Sequence, residues 1–186
     1  MSVSKNRKHK DPVEVPYLRV ANVQRGHLVL DEIKTMEVES ARLADLSLKK
    51  GDILFNEGGD RDKLGRGWIW EGQIDPCITQ NHVFRASPYD LEAILPRFLS
   101  HWGNTFGQQF FLDEGTQTTN LASINKGVLS SFPVPLPPLA EQHQIVAEVE
   151  ARTTAIDHLE AELNRQITRS NRLRQSALAA AFRGTL

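Results

Sequence analysis

The stretch "FPVPLPPLAEQHQIVAEVE", Phe132–Glu150, decides how this chain is organised. Prolines stand at 133, 135, 137 and 138. From Leu139 onward there is no proline, and no glycine until Gly184. Proline holds φ near −65° and lacks an N–H, so it stiffens a segment and is tolerated only in a helix's first turn. The pattern predicts a rigid joint over 133–138 and a long helix over 139–186. Pro133 and Pro135 are expected to edge a last strand and Pro138 to start the helix. Glu141 then falls in the first turn, where the helix dipole favours an acid. At about 1.5 Å per residue, Leu139 to Phe182 would run roughly 66 Å, farther than a small domain is wide.

Outward toward the C-terminus, Ile145, Val149, Ile156, Leu159, Leu163 and Leu173 follow an approximate a/d heptad. Arg152, Gln166 and Ser170 interrupt it, and Ile167 falls off the seam. The stripe predicts a helix–helix pair rather than a long parallel zipper. Charge along the helix is sorted. Leu139 to Leu163 carries six acids (Glu141, Glu148, Glu150, Asp157, Glu160, Glu162) and one base, Arg152. From Asn164 onward come five arginines (Arg165, Arg169, Arg172, Arg174, Arg183) and no acid. This complements the helix dipole. It also favours antiparallel pairing with a like helix, acid half against basic half.

Outward toward the N-terminus, residues 11–132 read as a mixed α+β domain. "VPYLRVANV" alternates as a strand should, "GHLVL" reads as a second strand, and "VESARLADLSL" has helical spacing. Ile53, Leu54 and Phe55 form a strand leading into a glycine loop, and "WIWEGQI" and "TQNHVFRAS" read as further strands. A helix carrying Phe98, Leu99 and Trp102 begins at or bends at Pro96. "EGTQTTN" is a polar loop, and "LASINKGVLSSF" a short helix or turn. Residues 1–10 form a basic polar segment.

Hydrophobic content of 40% and charged content of 24% are ordinary for a globular protein. The net charge of −1 means that any nucleic-acid binding must come from local patches. One cysteine, Cys77, precludes an internal disulfide, and no apolar run reaches the roughly 20 residues of a membrane helix. "MSVSKNRKHK" lacks the apolar core of a signal peptide. A cytoplasmic location is expected.

Catalytic patterns are weak. Glu32-x-Lys34 in "DEIK" reads as solvated surface. Gly58, Gly59, Gly65 and Gly67 match neither dinucleotide nor P-loop spacings, and Cys77 with His82 are too few for a metal site. Three polar loops suit DNA better. "SKNRKHK" offers Lys5, Asn6, Arg7 and Lys8. "EGGDRDKLGRG" offers Arg61, Lys63 and Arg66. "GTQTTN" offers Gln117, Thr118 and Thr119. Arg and Lys suit guanine edges and Gln and Asn suit adenine, while Lys, Thr and backbone amides set register on phosphates. Asp60 and Asp62 oppose DNA unless they accept from cytosine amino groups. A proline-rich ligand, from the P-x-x-P of Pro135 and Pro138, is the lesser reading of the joint.

Taken together, "PYLRVANVQRGHL", "KKGDILFNEGGDRDKLGRGWIW", "QNHVFRASP", "TQTTNLASINKGVLSSFPVPLPPLAEQHQIVAEVE" and "SALAAAFRGTL" closely resemble the specificity subunit of type I restriction–modification systems. The likeness covers nearly the whole chain in the same order. It is most specific at the "PLPPLAEQ" joint and the closing "LRQSALAAAFRG".

The resemblance implies a subunit without a catalytic site that reads bipartite double-stranded DNA through two recognition domains. Each domain is followed by a spacer helix, and the two helices pack antiparallel. It implies docking of two modification subunits that bind S-adenosylmethionine and methylate adenine, and of restriction subunits that use ATP and magnesium. With one recognition domain and one helix, the chain is expected to be a half-length form lacking the family's opening segment. Two copies would pair through their helices. The alternative is a fragment that caps modification subunits without reading DNA.

Overall fold

The computed structural model describes residues 10–117 and 122–184. The chain divides into two compact units, Met1–His143 and Gln144–Leu186. The architecture is α+β with a long C-terminal helix, as the sequence predicts.

The first unit is built on three small sheets. β1 (Pro12–Leu18) alternates as "VEVPY" dictates, burying Val15 and Tyr17. It pairs antiparallel with β2 (Lys34–Glu39) and parallel with β6 (Ile78–Thr79). β3 (Ile53–Asn56) is buried at every position because it is the centre of the second sheet, between β5 (Gly67–Ile69) and β7 (Val83–Ala86). The third sheet joins β4 (Gly58–Gly59), β9 (Ala122–Ser123) and β8 (Thr116–Gln117), in that order.

α2 (Pro96–Glu114) starts at its proline rather than bending there, and buries Phe98 and Phe111. Phe111 closes one core cluster with Ile53, Phe55, Leu64 and Ile124. Leu18, Val23, Leu54, Trp70 and Cys77 form a second.

Several sequence expectations differ from the structure. The strand expected through "VPYLRVANV" stops at Leu18. Asn22 ends it: its side-chain Oδ1 accepts from the Arg19 N–H (2.9 Å), and its Nδ2 donates to the Val29 and Glu32 carbonyls (2.9 and 3.0 Å). A short polar side chain that bonds nearby backbone competes with a strand ladder. "GHLVL" contributes only an isolated bridge, Val23 to Leu28. β2 was not anticipated. The helical spacing of "VESARLADLSL" survives only as a 3₁₀ turn, Ser40–Arg42, and α1 (Leu43–Leu46). "WIWEGQI" is a strand only to Ile69, and "TQNHVFRAS" is two strands split by a turn in which the Val83 N–H bonds the Gln80 carbonyl (3.0 Å). Of "EGTQTTN", Glu114 ends α2 and Thr116–Gln117 form β8, while 118–120 lie outside the described residues.

Residues 132–138 form no strand, so Pro133 and Pro135 edge none. Pro138 sits one residue ahead of the helix, its carbonyl accepting from the Glu141 and Gln142 N–H groups (2.9 and 3.1 Å). α3 (Lys126–Ser130) precedes the joint and is capped by the Asn125 side chain, which accepts from the Val128 N–H (3.0 Å).

The second unit consists of the continuation of α4, whose full span is Leu139–Arg183. The apolar stripe lies largely open: Ile145, Ile156, Leu159, Leu163 and Leu173 are exposed, and Val149 is half-buried. Arg152 pairs with Glu148 (2.6 Å) and Arg165 with Glu162 (2.8 Å), the contacts expected four and three residues apart on one helix. No helix among the described residues is long and apolar enough to cross a membrane.

Candidate nucleic-acid interface

The strands that border two of the three loops singled out in the sequence pair in the β4–β9–β8 sheet. β4 opens the loop of Arg61, Lys63 and Arg66, while β8 and β9 flank the segment containing Thr118 and Thr119. Gly58 faces Ser123 and Gly59 faces Ala122. On the other side of β9, Thr116 faces Ser123 and Gln117 faces Ala122. The sequence explains why the strands can approach. A Cβ at Gly58 would lie 2.7 Å from the Ala122 carbonyl oxygen. Any larger residue would push β4 and β9 apart.

The glycine-flanked loop is fixed from behind. Leu64 is fully buried among Phe55, Phe111 and Ala122. Gly65 has φ +62°, and a Cβ there would stand 2.0 Å from the Phe111 ring. This anchoring leaves Arg61 exposed and Lys63 and Arg66 half-buried. Arg61–Lys63 is a 3₁₀ turn closed by the Lys63 N–H on the Asp60 carbonyl (2.8 Å). The Lys63 ammonium contacts the Asp60 carboxylate, and this hydrogen bond and charge hold the Asp60 carboxyl below its ordinary range. Part of the local acidity that would oppose DNA is thus neutralised within the loop.

Glu57 ties the same region to the β6–β7 turn. Its N–H donates to the His82 carbonyl (2.9 Å), its carbonyl accepts from the Ile124 N–H (2.8 Å), and its carboxylate lies 2.7 Å from the His82 Nδ1. Beneath it, buried Asn56 donates to the Val20 and Val23 carbonyls (3.3 and 2.9 Å), holding the turn after β1.

The third predicted loop, with Lys5, Asn6, Arg7 and Lys8, lies outside the described residues, as do Thr118 and Thr119. Gln117 is placed through its backbone in β8. Glu32 and Lys34 form no catalytic grouping: Glu32 binds the Arg19 guanidinium (3.2 Å) and Lys34 opens β2. Among the described residues no group of three His, Cys, Asp or Glu side chains could hold a metal ion.

Two features escaped the sequence reading. A cleft of about 510 Å³ opens beside the β6–β7 turn, lined by Arg42, Asp45, Gln80, Asn81 and Lys126 among others. Arg85 on its wall is committed to the carbonyls of Asp45 and Ser47 (3.1 and 2.9 Å). Its residues come from three separate segments, so no local pattern marks it. The second is Gln142, fully buried although it follows an exposed glutamate in a polar helical turn. Its position in phase with Ile145 and Val149 is the signal that could have found it.

The mixed α+β unit, proline joint and long helix belong to a class that comparison with known proteins identifies. Residues 2–169 match the family model described as the type I restriction modification DNA specificity domain, and the chain belongs to that family.

It is 32% identical over 178 residues to the type I restriction enzyme EcoBI specificity subunit of Escherichia coli, covering 95% of this chain and 36% of that protein. It is 31% identical over 175 residues to the StySPI specificity subunit of Salmonella potsdam, covering 93% and 38%. The chain therefore spans little more than a third of the length of these relatives. In fold it is similar to a chain of a solved type I restriction–modification assembly (TM-score 0.72, 20% identity, 92% of this chain and 44% of that one). It is also similar to the HsdS subunit of Thermoanaerobacter tengcongensis (TM-score 0.56, 21% identity, 82% and 40%).

Proposed function

We propose that this chain reads DNA sequence for a type I restriction–modification complex, contributing one half of a bipartite target and directing methyltransferase and endonuclease subunits to it. The observation that supports the reading is the shared β4–β9–β8 sheet, in which the strands bordering the two predicted loops are paired neighbours, so that both loops would fall on one surface. Arginine and lysine on such a surface can grip phosphates or guanine edges, and the threonine- and glutamine-rich segment adds adenine-compatible and register-setting groups. The chain itself is non-catalytic in this reading. Methyl transfer, DNA cleavage and the S-adenosylmethionine, ATP and magnesium they require belong to the partner subunits, in the cytoplasm. The exposed stripe of α4 supplies the surface for a like helix, from a second copy or another half-subunit, and for the modification subunits.

The competing reading, a cap that binds modification subunits without reading DNA, is favoured by the same stripe, which needs no DNA to act. Binding of the assembled complex to random and methylation-selected duplexes over a range of salt separates the two. A reader binds selected duplexes more tightly, with affinity falling steeply as salt rises. Arg61→Ala then weakens binding and lowers the salt slope by about 1 if that side chain meets a phosphate. A complex that assembles fully yet binds every duplex alike is a cap.

A further inference from the structure

The most buried polar side chain of the joint is not in the DNA-facing loops. Gln142 has no solvent exposure, yet its amide is fully used. Its Oε1 accepts from the Leu95 N–H (2.8 Å), and its Nε2 donates to the Ala93 carbonyl (2.8 Å) and the Pro137 carbonyl (2.8 Å). Three backbone groups from two segments far apart in sequence therefore meet on one side chain in the first turn of α4.

The arrangement has no local cause. Ala93–Leu95 leads into α2, whose first residue is Pro96 and whose N-cap Leu95 has no side-chain cap bond. Pro137 belongs to the joint. Gln142 thus gives the Leu95 N–H at the start of α2 a partner while fastening the joint beneath the start of α4. An apolar side chain of the same length would fill the space and deprive the Leu95 N–H and the Ala93 and Pro137 carbonyls of these bonds. A buried, fully satisfied polar network specifies one arrangement, because alternatives leave its members unpaired.

We infer that Gln142 is a positioning residue that sets spacer-length selectivity. By clamping the root of α4 to the segment before α2, it fixes the register between a recognition domain and the helix that separates it from a second domain. This rests on the reading that the chain recognises one half of a bipartite target. One added base pair moves a half-site by about 3.4 Å and turns it by roughly a tenth of a helical turn. A root free to rock tolerates such shifts, and a clamped one rejects them.

The test uses the chain assembled with its modification subunits and duplexes that carry fixed half-sites separated by spacers lengthened or shortened by one and two base pairs. Methylation rates should peak at one spacer for the native complex, and the preference over neighbouring spacers should shrink severalfold in Gln142→Met. Gln144→Ala, at an exposed neighbouring position, should keep the native profile. Amide hydrogen exchange of the free chain gives a second reading that does not depend on activity. The Leu95 N–H should be protected in the native chain and exchange at least about tenfold faster in Gln142→Met.

An unchanged spacer profile in a folded Gln142→Met complex overturns the inference. So does a Leu95 amide unprotected in the native chain, which also decides the matter if the variant fails to fold. A native complex that methylates all spacers equally, with Leu95 protected, shows instead that the bipartite reading has failed while the clamp is real.

Discussion

At the scale of the residue, small groups set what the loops can do. Gly65 and Gly26 both have positive φ, +62° and +81°, but their surroundings differ. A Cβ at Gly65 would enter the Phe111 ring, whereas at Gly26 nothing lies within 4 Å. Gly26→Ala should therefore cost about 1 kcal/mol, the ordinary penalty of a left-handed backbone. Gly65→Ala should cost at least about 3 kcal/mol, since overpacking is added. Urea unfolding midpoints of the two variants check the difference, and equal losses would mean that Phe111 yields.

Cys77 makes a pH-dependent contribution. Burial pushes its thiol up to about 11 from 9.0. Above pH 9 the unfolded chain gives up this proton while the folded chain keeps it, so stability should fall as pH rises from about 9 to 11. Cys77→Ala should lose that part of the alkaline slope in thermal melts taken across the range.

At the scale of the element, the sequence was legible where one residue type forces one outcome. Pro96 placed the start of α2, and the absence of proline and glycine placed α4. It was illegible where a tertiary partner decides. Val38 and Glu39 carry a helical pattern but lie in β2, paired with Val13 and Pro12 of β1. Residues 19–23 carry a strand pattern but bend because Asn22 finds backbone partners. Of the candidate site, the residue types were readable. The pairing of the strands that border two of the loops was not, because the β4–β9–β8 sheet consists of two-residue strands, too short to leave a periodicity.

The open stripe of α4 belongs to this scale too. Isolated apolar side chains on a surface are unremarkable, but Ile156, Leu159, Leu163 and Leu173 recur on one face. Leu159→Glu with Leu163→Glu should leave the chain folded by circular dichroism and abolish any self-association seen by light scattering. Association that survives the pair of changes would place the contact elsewhere.

At the scale of the whole molecule, the number of readers sets the symmetry of the target. If the chain reads half of a bipartite target as proposed, two identical chains related by a twofold axis would present identical surfaces, and their DNA target would be an interrupted palindrome. Pairing with a different half-subunit removes that requirement. Methylome sequencing of cells carrying this chain with its modification partner should return a two-part motif with inverted-repeat halves if the chain acts as a homodimer. An asymmetric motif would exclude that assembly.

The seclusion of the chain's one thiol gives the molecule an experimental convenience. With Cys77 sealed in the core, a cysteine introduced on the surface becomes the single position open to labelling. Ala147, exposed near one end of α4, is suited to a nitroxide. In a complex of two chains, helices running the same way would bring the two spin labels side by side. Helices running in opposition would hold them tens of ångströms apart, at about 1.5 Å per intervening residue. A single dipolar distance would therefore report the polarity of the pairing without a crystal.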